Sequence, residues 1–361
     1  MISKLVEFST MISSFLVQSL AYPDTLPSGF APKRILVIKL DHLGDLLLAT
    51  PVFSNVRHAF PAAQIDALVG DWNYEVLQNH PDVDGIIGYN SHFFSRGVNP
   101  TNLRQTYDIF CRLQEQQYDL LIDLRGDWVT VVFALWANIS YRLDRAYLQV
   151  GNKIGLNGYK ALHESARNLN LLRSVQIPTP VCTTGFYTAK TAKLWVDDYL
   201  EKLEVCRNLP LIAIHAGSPI ATKRWPTSRF AELMDWLIFH YQAQILLVGV
   251  KSELPINTDI ESRMKMKAFN AVGETNLQQL AELLRHCNLF IGNDSAPMHI
   301  SAVVGTKTVG LYGASSPSRF CPIGPHCTIV TRKAMDQIHV SDVVSEIGSF
   351  SVDLKLSTML E

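Results

Sequence analysis

Four runs of this 361-residue sequence bring together groups that can move a proton, hold an anion or let a ligand approach the backbone. In Lys39-Leu-Asp-His-Leu-Gly-Asp45, Gly44 and Asp45 open an apolar helical pattern. A carboxylate at a helix start serves as a cap or as a general base. The second run goes from His215-Ala-Gly-Ser218 to Thr222-Lys-Arg-Trp-Pro226. Gly217 admits a ligand to the backbone, Ser218 offers a hydroxyl, and Lys223 and Arg224 put two cations before a helix that Pro226 begins. That combination fits a diphosphate clamp or a solvated basic loop. The third, Leu289-Phe-Ile-Gly-Asn-Asp-Ser-Ala-Pro-Met-His299, is a strand that breaks at Gly292-Asn293 and restarts as a helix. Asp294 or Ser295 is placed to cap it and Pro297 falls in its first turn, where free N–H groups and the helix dipole favour an anion, most often a phosphate. His299, about one turn in, faces either a ligand or the core. The fourth, Asp123-Leu-Arg-Gly126, sets Asp123 and Arg125 where they would meet an anionic acceptor or form an internal ion pair.

Such groups converge only if each run is delivered just beyond the carboxyl end of a parallel strand. Short apolar stretches predict strands at 34–40, 64–69, 85–89, 118–124, 211–215, 245–249, 269–272, 289–291, 308–312 and 328–330, with helical patterns between them. Strands alternating with helices at this spacing mean an α/β fold, here two doubly wound Rossmann-like domains. The boundaries expected are an N-terminal extension over 1–32, a first Rossmann-like domain over 33–180 and a second over 181–361, with the ligand in a cleft between the domains. Residues 1–21 read as an amphipathic helix that packs on the body or touches a membrane surface.

Composition narrows the function classes. Apolar residues are 47% and charged residues 18%, as in a globular chain, and a net charge of -1 offers no electrostatic reason to bind nucleic acid. Six cysteines without a C-x-x-C pair fit reduced thiols in a cytoplasmic protein. No G-x-G-x-x-G follows a strand and no G-x-x-x-x-G-K-[ST] occurs, so dinucleotide and P-loop readings lose their main support.

Lys39-Leu-Asp-His-Leu-Gly-Asp45 with Thr50-Pro51, Lys223-Arg-Trp-Pro226, and Gly292-Asn-Asp-Ser-Ala-Pro-Met-His299 followed by Leu311-Tyr-Gly313 together resemble the signatures of glycosyltransferase family 9. These are the heptosyltransferases of lipopolysaccharide core assembly. The resemblance, from about Arg34 to Phe350, implies a GT-B fold and metal-independent, inverting transfer. It implies no cofactor beyond a nucleotide-diphosphate sugar as co-substrate. Carried over, the general base falls on Asp45, the phosphate-binding lysine on Lys223 with Arg224 beside it, and the donor-binding Asp and His on Asp294 and His299. Gly217 and Ser218 belong to the donor loop, and the N–H groups of Ser295 and Ala296 receive phosphate oxygens. Glu253 and Thr275 border the nucleoside, and Gly44, Asp123 and Arg125 lie on the acceptor side. Pro219-Ile-Ala-Thr222 departs from the family loop, and Asn293-Asp-Ser-Ala296 does not identify the sugar.

The activity so implied moves a sugar, by family default heptose from ADP-heptose, to a lipopolysaccharide-core or other glycan or glycolipid acceptor. The enzyme would work in the cytoplasm with a peripheral contact at the inner face of the membrane. A nucleotide-sugar epimerase or hydrolase of the same fold, or a non-catalytic nucleotide-sugar-binding protein, would use the same donor residues. Consumption of donor without acceptor marks the first of these rivals; retention of Asp45 and Lys223 argues against the second.

Overall fold

The computed structural model describes residues 26–90, 103–139, 141–145, 162–313 and 315–348, so the amphipathic reading of 1–21 lies outside the described residues. The chain divides into two units, Met1–Gly185 and Phe186–Glu361.

In the first unit, strands β1 (Arg34–Lys39), β2 (Gln64–Gly70), β3 (Gly85–Tyr89), β4 (Leu120–Asp123) and β5 (Tyr141–Asp144) form one sheet in the order β3-β2-β1-β4-β5. Every pairing is parallel. The central β1 is buried on both faces, which is why it reads as an unbroken apolar run. Pro51 cannot continue a helix from the preceding turn, so the segment after β1 forms two helices, Leu43–Leu47 and Thr50–Ala59, with Pro51 in the first turn of the second. Strand β5 and the helix Glu164–Arg173 go beyond the sequence reading. Tyr-Arg-Leu-Asp is too short and too charged to announce a strand; Arg142 and Asp144 lie close enough for their opposite charges to act on each other.

In the second unit, β6 (Leu211–His215), β7 (Gln244–Leu247), β8 (Phe269–Asn270), β9 (Leu289–Asn293), β10 (Thr308–Tyr312) and β11 (Cys327–Thr331) form a parallel sheet ordered β11-β10-β9-β6-β7-β8. The helix Thr227–Tyr241 packs Phe230, Leu233, Met234 and Leu237 into its core. In both units the winding direction reverses once, between β1 and β4 and between β6 and β9. Loops leaving neighbouring strands in opposite directions open a crevice at such a point, the usual place for a ligand in an open α/β sheet. The four chemistry-bearing runs leave from these four strands.

Candidate active site

At the switch point of the second unit, His215 ends β6 and Asn293 ends β9. Asn293 is fully buried, and its side chain knits the two loops: Oδ1 accepts from Trp225 N at 3.1 Å and Nδ2 donates to Ala216 O at 2.8 Å. Trp225 is the anchor of Lys223-Arg-Trp-Pro226; its buried indole donates to Ile338 O at 2.9 Å and packs edge-on to Phe230. With Trp225 fixed, Lys223 reaches the start of the helix Ala296–Val303, where Nζ lies 2.5 Å from Asp294 Oδ2. Arg224 turns back, its Nε donating to Ser218 O at 2.7 Å, and so braces the loop. Ser218 is buried, and its Oγ accepts from Ile220 N at 3.3 Å. Ser295 is the N-cap residue, yet its hydroxyl makes no cap bond; it lies 3.0 Å from Asn293 O and 3.0 Å from His215 Nδ1. The first-turn N–H groups of that helix, Ala296 among them, have no partner within it. Pro297 sits in the same turn, and His299 is buried just beyond.

Glu253, from the loop after β7, lies over the loop after β6. A Cβ on Gly217 would overlap its Oε1, and one on Gly249 would come 2.5 Å from Oε2, so glycine at both positions makes room for this carboxylate. Glu253 Oε2 lies 3.1 Å from His215 Nε2 and accepts from Val250 N at 2.9 Å. Burial works to raise this carboxyl, but the His215 hydrogen bond and charge, the Val250 N–H and Arg224 outweigh it and hold it below the ordinary glutamate value. The half-buried Thr275 follows Gly273, whose N–H donates to Gly249 O at 2.8 Å, so the loops after β7 and β8 meet there. The structure therefore brings Gly217, Ser218, Lys223, Arg224, Glu253, Asp294 and Ser295 to one edge of the sheet. His215, Asn293 and Trp225 belong to the same construction without a role of their own in the sequence reading, where His215 ends a strand, Asn293 breaks one and Trp225 is part of a motif.

At the switch point of the first unit, His42 is the N-cap of the helix Leu43–Leu47, so Gly44 and Asp45 fall in its first turn and Asp45 is not the cap. Beneath them lies a network of buried charge. Lys39 Nζ is 2.9 Å from Asp41 Oδ2 and 3.5 Å from Glu164 Oε1, and it donates to Leu124 O at 3.4 Å. Arg145 grips Glu164 with both terminal nitrogens, at 2.5 and 3.0 Å, and Arg167 adds a contact at 3.1 Å. Burial pushes the Asp45 carboxyl above the ordinary aspartate value. Lys39 opposes that, Asp41 and Glu164 reinforce it, and Arg145 opposes it again. Arg125 donates to Leu40 O at 2.9 Å and Asp41 Oδ1 at 2.7 Å and also pairs with Asp127, an internal ion pair. Asp123 is buried, and Oδ1 accepts from Arg125 N at 2.9 Å and Gly126 N at 3.0 Å. Burial pushes its carboxyl up to about 6. Asp123 and Arg125 thus hold the loops around Asp45 in shape. Among the described residues no group of three or more His, Cys, Asp or Glu is arranged to hold a metal ion.

The arrangement supplies a half-buried carboxylate over a charge network on one sheet, and a cation, a helix start and an anchored glutamate on the other. Known proteins match this chain in sequence and in fold. The lipooligosaccharide heptosyltransferase 2 of Haemophilus ducreyi is 26% identical over 317 residues, 82% of this chain and 88% of that protein. The crystal structure of a family 9 glycosyl transferase from Veillonella parvula matches with a TM-score of 0.80 at 21% identity, over 92% of this chain and 100% of that one. The E. coli ADP-heptose LPS heptosyltransferase II matches with a TM-score of 0.73 at 22% identity, over 89% and 99%. The two parallel Rossmann-like sheets are those of the GT-B fold. The sequence pattern of glycosyltransferase family 9 (heptosyltransferase) matches residues 107–346, which takes in the loops after β6 and β9 and much of the buried charge network; this chain belongs to that glycosyltransferase family.

Proposed function

We propose that this protein transfers heptose from ADP-heptose, with inversion, to a lipopolysaccharide-core acceptor. The observation that carries the reading is the Lys223–Asp294 ion pair at the start of the helix Ala296–Val303, on the sheet edge where Glu253 is anchored. A diphosphate needs a cation and unspent N–H groups, and this edge offers both. In the reading, Lys223 and the N–H groups of Ser295 and Ala296 receive phosphate oxygens. Gly217 and Ser218 shape the loop that Arg224 braces, and Asp294 and His299 complete the donor side. Glu253 and Thr275 take the nucleoside.

On the acceptor side, Asp45 removes the proton from the attacking hydroxyl. The oxygen forms its bond to the anomeric carbon as the bond from that carbon to the diphosphate breaks, and the electron pair leaves on the phosphoryl oxygen. Gly44 and the loop held by Asp123 and Arg125 border the acceptor. Lys223 neutralises the leaving group, the task a divalent ion performs elsewhere, so excess EDTA leaves turnover unchanged.

The acceptor class places the enzyme at the inner face of a membrane, where contact is peripheral; among the described residues no helix is long and apolar enough to cross one. The test incubates the protein with ADP-heptose and a truncated lipopolysaccharide core, reading ADP release and the mass of the glycolipid. A mass increase of one heptose with matching ADP supports the proposal. ADP release without a heavier glycolipid would move it to a hydrolase, and no transfer from ADP-heptose beside transfer from another nucleotide sugar in a parallel incubation would replace the donor.

A further inference from the structure

His215 makes directed contacts with two different loops of the donor edge. Its Nε2 lies 3.1 Å from Oε2 of Glu253, in the loop after β7, and its Nδ1 lies 3.0 Å from Oγ of Ser295, in the loop after β9. The ring is buried at the end of β6, pinned by the pairing of His215 with Gly292 on β9. A carboxylate only accepts, so Nε2 carries the hydrogen of the first contact. The second contact is conditional. The Ser295 hydroxyl has a single proton and lies equally close to His215 Nδ1 and to Asn293 O, 3.0 Å from each, so it donates to one of them at a time. While Ser295 donates to His215 Nδ1, a displacement of Glu253 reaches Ser295 through a rigid planar ring, and the reverse holds as well.

Glu253 is tightly confined. Gly217 and Gly249 leave it just enough room, and Val250 N–H holds the same oxygen that faces the ring. At the other end, Ser295 directly precedes the helix start to which Lys223 reaches through Asp294. The ring thus stands between the nucleoside end and the diphosphate end of the donor edge.

We propose that His215 is a positioning residue that couples the nucleoside-binding and diphosphate-binding ends of the donor site through its hydrogen bonds to Glu253 and Ser295. The inference rests on the reading of this edge as the donor site. It makes an occupied nucleoside end set the Ser295 hydroxyl and the helix start for the diphosphate, so that a nucleoside diphosphate binds more tightly than its parts acting independently.

The experiment is a double-mutant cycle on ADP and UDP binding, read by calorimetry, with Glu253→Gln, Ser295→Ala and the pair, each in the native chain and with His215→Gln. Each single change in the native chain is expected to weaken the preferred nucleotide roughly 10-fold. The pair should weaken it by clearly less than the product of the singles, by a factor of about 3 or more. With His215→Gln the two effects should multiply. A residue that only supports the fold would lower all affinities together and leave the coupling unchanged. Multiplying effects in the native chain would overturn the inference, and that arm needs no His215 variant to fold. If the native chain binds neither nucleotide, the donor reading fails and the inference with it. Binding with independent Glu253 and Ser295 effects removes this inference alone.

Discussion

A single carboxyl, Asp45, carries opposite demands. Burial raises its folded-state value, so the protonated form suits the fold while the ionised form suits proton removal. A group raised in this way stabilises in full below its unfolded value and loses that contribution as pH rises through its folded value. Asp45→Asn is therefore expected to raise the melting temperature at pH 7, with the gain vanishing as the pH falls below the unfolded value. Single-turnover transfer at saturating donor and acceptor should drop at least ~100-fold in the same variant. A near-normal rate would remove Asp45 from the mechanism. Lys223 makes a second test at this scale. On the proposed reading, Lys223→Ala removes the cation and leaves the Asp294 carboxylate facing the diphosphate, with an expected cost of roughly 2 to 4 kcal/mol in the barrier. Adding Asp294→Asn relieves the repulsion, so the double variant should bind ADP more tightly than Lys223→Ala alone. Equal affinities would mean that Asp294 lies outside the field of the phosphates.

At the scale of elements, the charge network ties together β1, the loop after β4, the end of β5 and the helix Glu164–Arg173, and its charges act on the ionisation of Asp45. On the proposed reading the base works ionised, so the low-pH limb of the rate profile is expected to follow Asp45, above the ordinary aspartate value. Lys39→Met removes a neighbouring cation and should move that limb to higher pH. Glu164→Gln removes a neighbouring anion while Lys39, Arg145 and Arg167 stay, and should move it to lower pH. Shifts in the same direction, or none, would reduce the network to a structural role.

The same elements separate what is legible in the chain from what is not. The turns after β1, β6 and β9 are marked by Gly44-Asp45, Lys223-Arg-Trp-Pro226 and Asn293-Asp-Ser-Ala-Pro297, which interrupt apolar runs with residues that start helices. Arg145 and Glu164 carry no such mark. Arg145 follows a four-residue strand and Glu164 opens a helix, far apart in sequence, and their pairing depends on β5 joining the sheet beside β4. His215 is hidden for a related reason: its partners lie in the loops after two other strands, and no local spacing connects them.

At the scale of the molecule, each unit has its own parallel sheet and its own core. A ligand that binds only the native state of the second unit stabilises that unit by mass action. Calorimetry with saturating ADP is expected to raise the transition of Phe186–Glu361 and leave that of Met1–Gly185 in place. A common rise of both would show that the units unfold as one.

The sheet order has a kinetic consequence. In each unit the central pairs, β1 with β4 and β6 with β9, join segments far apart in sequence, with two other strands of the same sheet between them. Long-range parallel pairing of this kind is slow, because chain-closure entropy is spent before the contacts reward it. The Asn293 bonds to the loop after β6, and the His215 contact with Ser295, can form only after β9 has docked beside β6. On dilution from denaturant, far-ultraviolet circular dichroism should recover early, carried by the helices, and nucleotide binding should return in a later, slower phase.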